Sequence, residues 1–474
     1  MGGSSGLFGV VPAPSSRFVA SQRCWRCDYH PNCHQSWQRF EYYGSRVRRL
    51  YYRATDLSHS CLSEINSSKS NTTLPILPRL KQLTWLANCS KPYFQFVNLF
   101  VGPQLKDLQV SFPPLDPASW DSFVSLFAGI SSNLHVLTFE AASSYLTPII
   151  APSLTCQAFV ALREITLFSL PSLEVVAFLG ALKHLEHITI ADDLASDPFS
   201  WESPVVLPRK PCFISLRRLN INDNAKGFAE AFVGVMQPKS PECIYLHAQE
   251  FSSISEIVRS VSHFASLVEL VLEEDQRKDT EPSILSEDTS LRAITPLRSL
   301  TQLQVLQLAL RSLSLGDSAL CLIAEIFPHI KCLYLHTYDP ANNRSTKFTL
   351  SGLQGLALKC TSLESLRLPS LDVSSGLPVA LPSISISQPS NLQTLRVDSS
   401  TPFDPTVLAA ILKRLFPNLK KIQGRDARAW SRVLSLINVT ELNRSCVRGD
   451  VHDDWNEVGS DEDGSDKQVT NNDW

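Results

Sequence analysis

Residues 363–368 read LESLRL, and residues 392–397 read LQTLRV. Each string is apolar at its first, fourth and sixth positions. The last two of these are two residues apart, the period at which strand side chains return to the same face. Leu366 and Leu368 are therefore expected to point inward from a short strand, with Arg367 between them pointing out. Leu363 turns the chain into that strand. In the second string Leu392, Leu395 and Val397 play the same parts, and Arg396 is the outward residue.

The template L-x-x-L-x-φ, with φ apolar, recurs upstream. It reads Leu80/Leu83/Trp85, Leu105/Leu108/Val110, Leu134/Leu137/Phe139, Leu162/Ile165/Leu167, Leu185/Ile188/Ile190 and Leu216/Leu219/Ile221. It returns at Leu267/Leu270/Leu272, Leu303/Leu306/Leu308 and Ile330/Leu333/Leu335. A degenerate copy surrounds Ile244 and Leu246, and a partial copy sits at Leu419/Ile422. The mean step is roughly 28 residues, at the upper end of the roughly 20–29 of leucine-rich repeats. Leu-x-x-Leu pairs arise easily by chance. Ordered copies, each with an apolar residue two further on, do not.

Stacked copies would form one parallel sheet, each adding a rung to a continuous core. The segments between strands read as helices. Trp120, Phe123, Phe127 and Ile130 have helical spacing in "PASWDSFVSLFAG". In "DPTVLAAILKRLF", Asp404 is the expected N-cap and Pro405 the first helical residue. Val407, Ile411 and Leu415 would form its apolar stripe. Two more helices are expected to start at Asp317 and Ser351. The fold class is thus α/β, a leucine-rich-repeat solenoid, with a parallel sheet on the concave face of a horseshoe and helices on the convex face.

Length supports an elongated array, because 474 residues exceed what one compact core holds, roughly 250–300. The expected organisation is an irregular or disordered segment over 1–36, a helical opening segment and polar loop over 37–74, repeats over 75–430, and a disordered acidic tail over 447–474. Within it, 54–74 reads as loop, 273–290 as a charged insertion and 369–390 as a Ser/Pro-rich loop. A formal net charge of −3 gives no reason to expect nucleic acid or an anionic membrane as partner. No apolar run approaches the roughly 18 residues of a transmembrane helix. The first 23 residues lack a secretory signal pattern. An intracellular protein, cytoplasmic or nuclear, is the expectation, with its 12 cysteines mostly reduced and buried.

Catalytic motifs are not evident. There is no G-x-S-x-G, P-loop, G-x-G-x-x-G or H-E-x-x-H. His184 and His187 read as a turn residue and an outward strand residue. "CWRCDYHPNCH" places Cys24, Cys27, His30, Cys33 and His34 close together, as thiolate and imidazole ligands of zinc can be. However, the second ligand pair normally lies a dozen or more residues further on. Neither a metal nor a cofactor is expected, and no enzyme activity.

The concave face is the better candidate. Its central outward residues are Thr84, Gln109, Thr138, Thr166, Thr189, Asn220, Val271, Gln307, Tyr334, Arg367 and Arg396. The N-terminal half is small and neutral. The C-terminal half carries Tyr334, His336, Arg367 and Arg396, and Tyr and Arg are enriched at interaction hot spots. These four are the expected partner-binding residues, with an acidic or phosphorylated protein as the partner.

Ahead of the first Leu80 repeat lies "SWQRFEYYGSRVRRLYY". It resembles the opening segment of fungal F-box/leucine-rich-repeat proteins, roughly W-x-R-F-x-x-Y-x-x-R-V-R-x-L. The matching positions are Trp37, Arg39, Phe40, Tyr43, Arg46, Val47, Arg48 and Leu50. "LPILPRLKQLTWL" and "VGPQLKDLQV" are similar to that family's first strands. The resemblance spans roughly residues 37–430. It implies a substrate-recognition subunit of an SCF-type cullin–RING ubiquitin ligase, whose F-box docks on a Skp-type adaptor while the repeats select the target. Residues 1–36 contain no match to the family's L-P-x-E-[IL]-L-x-x-I-F helix. The competing reading is a stand-alone repeat scaffold with no ubiquitin-ligase role.

Overall fold

The computed structural model describes residues 33–53, 59–68, 75–86, 95–112, 130–141, 159–168, 171, 173–191, 213–223, 228–236, 241–248, 251, 253–274, 285–336, 348–374, 390–401 and 403–447. Their spine is one 15-stranded sheet. Its strands are β1 Arg49–Arg53, β2 Gln82–Leu86, β3 Asp107–Phe112, β4 Val136–Ala141 and β5 Glu164–Leu167. They continue as β6 His187–Ala191, β7 Arg218–Asp223, β8 Cys243–Ala248, β9 Glu269–Glu274 and β10 Val305–Ala309. The last are β11 Cys332–His336, β12 Phe348–Thr349, β13 Ser365–Asp372, β14 Thr394–Ser400 and β15 Lys421–Gly424. Sequential strands are neighbours, except that the short β12 pairs beside β13, so β11 meets β13 directly. The strand pairs are parallel, and the sheet stays open from β1 to β15.

The template explains this register. Leu83, Leu108, Leu137, Ile165 and Ile188 stand opposite one another along the ladder, and so do Trp85, Val110, Phe139, Leu167 and Ile190. All are buried, and they belong to one core that runs from Tyr52 to Ile437. Each copy fills one layer of it, as a solenoid requires. The fold is a leucine-rich-repeat solenoid.

Helices line the other side of that core. They are α1 Cys33–Gly44, α2 His59–Ser68, α3 Leu173–Ala181, α4 Phe228–Val235 and α5 Ile254–Val261. They continue as α6 Glu287–Ile294, α7 Asp317–Ile326, α8 Leu350–Lys359, α9 Pro405–Leu415 and α10 Ala427–Val447. The Asp404 carboxylate caps α9 by accepting the Thr406 N–H at 2.8 Å, with Pro405 in the first turn as expected. α7 starts at Asp317, also as expected. α8 starts one residue before the expected Ser351, because Thr349 caps it by accepting the Ser351 N–H at 3.1 Å. Thr349 in turn donates its own N–H and hydroxyl to the Asp317 carboxylate, at 2.8 and 2.5 Å. One side chain thus ties the start of α7 to the start of the next repeat's helix. Gly352 leaves room for it, since a Cβ there would run into Asp317.

Several expectations need correction. Val407 is 53% exposed and outside the α9 stripe, which is Leu408, Ile411, Leu412 and Leu415. Residues 54–74 are not wholly loop, since α2 lies among them with Leu62 fully buried. The repeats begin earlier than Leu80. Val47, Leu50 and Tyr52 form a first rung, and β1 pairs with β2 in full register. The Tyr52 ring stacks on Trp85 with centroids 3.9 Å apart. The charged insertion starts inside β9 and ends in α6. β13 takes the first residues of the expected Ser/Pro loop. Past 430 the chain continues as α10, which buries Trp430, Val433 and Ile437 against the last rung. The Trp120–Phe127 helix and the tail beyond Val447 lie outside the described residues.

Candidate interaction surface

The outward side chains of the sheet form continuous rows. In the central row, each residue stands opposite the next: Tyr51, Thr84, Gln109, Thr138, Thr166, Thr189 and Asn220. The row continues through Tyr245, Val271, Gln307, Tyr334, Arg367, Arg396 and Gln423. All the outward positions read from the template fall in this row. It also takes in Tyr51, Tyr245 and Gln423, from copies that were read as preceding the repeats, degenerate or partial.

The N-terminal part of this central row is polar and uncharged. Thr84 and Gln109 are linked at 3.4 Å, and Gln109 reaches Glu140 of the flanking row at 2.5 Å. The character changes at β8. Tyr245 donates its hydroxyl to Glu269 at 2.6 Å, and His247 lies 3.3 Å from Glu273. Gln307 also donates to Glu273. The His247 imidazole beside Glu273 holds that carboxyl below its ordinary range, against the opposing effect of burial.

At the C-terminal rungs the four expected residues are brought together, with one addition. Asp398, two residues past Arg396 on β14, sits at their centre. Arg367 reaches its Oδ2 at 3.1 Å, and Arg396 reaches its Oδ1 at 3.0 Å. His336 Nδ1 lies 3.4 Å from Oδ2, at ion-pair range but off the line of a hydrogen bond. Burial pushes the Asp398 carboxyl up. The His336 imidazole and the Arg367 guanidinium outweigh it and hold the group at about 2. Tyr334 stands one rung before Arg367 and donates to Ser365 at 3.3 Å. The expected cations are therefore not bare, because both guanidiniums share one carboxylate.

Asp398 was legible in principle. Continuing the period of two beyond the template puts it on the outward face, and only the six-residue length of the template left it out.

Of the remaining candidates, His184 is an exposed turn residue and His187 is outward on β6, 3.9 Å from Glu164. Cys24, Cys27 and His30 lie outside the described residues, and of Cys33 only the backbone at the start of α1 is described. Among the described residues, no group of three His, Cys, Asp or Glu side chains is placed to hold a metal ion. Among them, too, no helix is long and apolar enough to cross a membrane.

No protein-family model matches the chain, and no curated protein matches it. Among solved structures, it is similar to an internalin from Listeria monocytogenes. The identity is 12% and the TM-score 0.35, over 77% of this chain and 89% of that one. It is also similar to the second actin-binding site of leiomodin-1, at 13% identity and a TM-score of 0.22, over 41% of this chain and 92% of that one.

Proposed function

We propose that the chain is a non-catalytic binding module for a protein partner, with the outward face of β8 to β14 as its contact surface. The observation that carries this reading is the row of outward side chains, in register on every strand of the ladder. An open sheet face of this kind offers a rigid, largely preformed surface, which lowers the ordering cost of association. Its C-terminal rungs concentrate Tyr, Arg and His, while the N-terminal rungs carry small Thr and Asn. The charges there are mixed, with Arg367 and Arg396 set against Asp398 and Glu273, and the His336 imidazole beside them. A partner surface of mixed charge suits this arrangement better than a purely acidic or phosphorylated one.

Within that reading, the role proposed is substrate recognition in an SCF-type ubiquitin ligase. Its support is the resemblance of residues 37–50 to the fungal F-box/leucine-rich-repeat family. Val47 and Leu50 pack against the core at the first rung, while Tyr43, Arg46 and Arg48 stay exposed. Affinity purification of the tagged full-length chain tests both levels. Recovery of a Skp-type adaptor and a cullin with a further protein is the expected result. Recovery of protein partners without the adaptor would leave a repeat scaffold and remove the ligase role. Retention of the same partners by an Arg367→Glu, Arg396→Glu, Tyr334→Ala variant would remove the β8–β14 surface.

A further inference from the structure

The residue just before each strand forms a row of its own, where the chain enters the sheet. Backbone hydrogen bonds link its members in sequence. Lys81 N–H donates to Arg48 C=O at 2.8 Å, Lys106 to Lys81 at 2.8 Å, His135 to Lys106 at 2.7 Å and Arg163 to His135 at 2.9 Å. The row goes on through Glu186, Arg217 and Glu242. From Arg163 to Glu242 its charges alternate, and two neighbouring pairs form across strands. Arg163 lies 3.6 Å from Glu186, and Arg217 lies 3.9 Å from Glu242.

The first four rungs break that rule. Arg48, Lys81 and Lys106 are consecutive and basic, and His135 follows them. Arg48, Lys81 and Lys106 are exposed, and among the described residues none has a carboxylate at ion-pair distance. In the next row Asp107 accepts from Gln82, and Glu164 lies 3.9 Å from His187. Like charges on adjacent strands, about 4.8 Å apart, oppose folding. Stability alone favours the alternation seen further along the same row. The basic run is a feature that an external counter-charge would complete.

We propose that this rim, from Arg48 to Arg163, is a docking surface for an extended carboxylate-rich peptide segment of a protein partner. The run spans four inter-strand steps, about 19 Å, which is the length of about six extended residues. Exposed Tyr42, Tyr43 and Tyr51 stand at its β1 end, with the Arg46 guanidinium 4.2 Å from the Tyr42 ring centroid. Exposed tyrosines beside arginine favour a polypeptide partner. Three exposed cations, Arg48, Lys81 and Lys106, with His135 and the Glu186-paired Arg163 beyond them, within a chain of net charge −3 make a short site, suited to a short acidic segment and less to a nucleic acid or an anionic bilayer. The surface is separate from the β8–β14 face, so either assignment can fail without the other.

The test is fluorescence anisotropy of a labelled hexaglutamate peptide with the full-length protein. Parallel titrations use a six-nucleotide oligouridylate and phosphatidylserine vesicles. The peptide should bind, and should weaken steeply as salt rises from about 0.05 to about 0.5 M. Lys81→Glu with Lys106→Glu should weaken it by about tenfold or more. Arg432→Glu, exposed on α10 at the far end of the array and outside both surfaces, should leave peptide binding unchanged. The double variant should melt at or above the parent's temperature, because it breaks the like-charge run. Peptide binding that ignores the double substitution, or a lower melting temperature, would overturn the proposal. Tighter binding of the oligonucleotide or the vesicles than of the peptide would overturn its choice of partner.

Discussion

Asp398 is the residue on which the C-terminal surface turns. It neutralises one of two guanidiniums and is held at about 2 by its neighbours. A carboxylate whose folded pKa lies below its unfolded value adds stability above the unfolded pKa, near 4. That contribution is lost as the pH falls toward 2. Its size here is about 2 kcal/mol. Asp398→Asn should therefore lower the stability measured by urea unfolding by about that amount at pH 7, and the gap to the parent should close between about pH 4 and 2. A gap independent of pH would mean that the carboxylate acts through packing alone. Gly424 makes a second residue-level case. A Cβ there would lie inside the indole of Trp430, whose ring packs against Phe403 at 5.0 Å. Gly424→Ala should cost about 1–3 kcal/mol and alter the Trp430 fluorescence.

Strands and helices show how individual side chains join one repeat to the next. Glu274 closes β9 while almost fully buried. Its carboxylate accepts the N–H of Phe251 at 3.2 Å and of Arg311 at 2.6 Å, from the segments after β8 and β10. Glu274→Ala would leave both donors without that acceptor, at about 1–3 kcal/mol each. Hydrogen exchange should then quicken at Phe251 and Arg311, and little at β2 or β3. An unchanged exchange rate at both amides would show that water replaces the carboxylate. At this scale the strands were the most readable part of the fold. Leu366, Leu368 and their counterparts are placed by a period of two, and burial of one face enforces it. β1 was missed because Tyr52 is an amphipathic ring that reads as surface until Trp85 is there to stack on it. α2 was missed because its composition is that of a loop. Among its described side chains only Leu62 is fully buried, and packing against the stretch around Phe96 rather than propensity holds the helix. The four candidate contact residues were legible as outward positions, but the carboxylate that three of them converge on was not. That depends on how β11, β13 and β14 bring His336, Arg367 and Arg396 onto Asp398, which no single repeat contains.

Across the whole molecule, each rung touches its neighbours, and the two ends are finished differently. Among the described residues no strand pairs with the outer edge of β1, which carries the exposed Arg49 and Arg53, and charge discourages edge-to-edge pairing with another sheet. At the other end α10 packs on α9 and β15. Trp430, Val433 and Ile437 are buried there, and Lys413 Nζ donates to the Ile437 C=O at 2.9 Å. Burial of each such side chain contributes about 1.5–3 kcal/mol, so α10 acts as the terminal cap that a stacked array requires. A chain ending at Asp426 would expose the apolar side of α9 and the last rung. Stability in such an array is a sum over rungs and their interfaces. The loss should therefore enter at the cut and fade along the ladder. Hydrogen exchange should rise first in β15 and β14, less in β11, and not measurably in β2 to β5. Uniform loss of protection along the sheet would show instead that the rungs unfold as one unit, and that the basic N-terminal rim and the C-terminal face are energetically coupled.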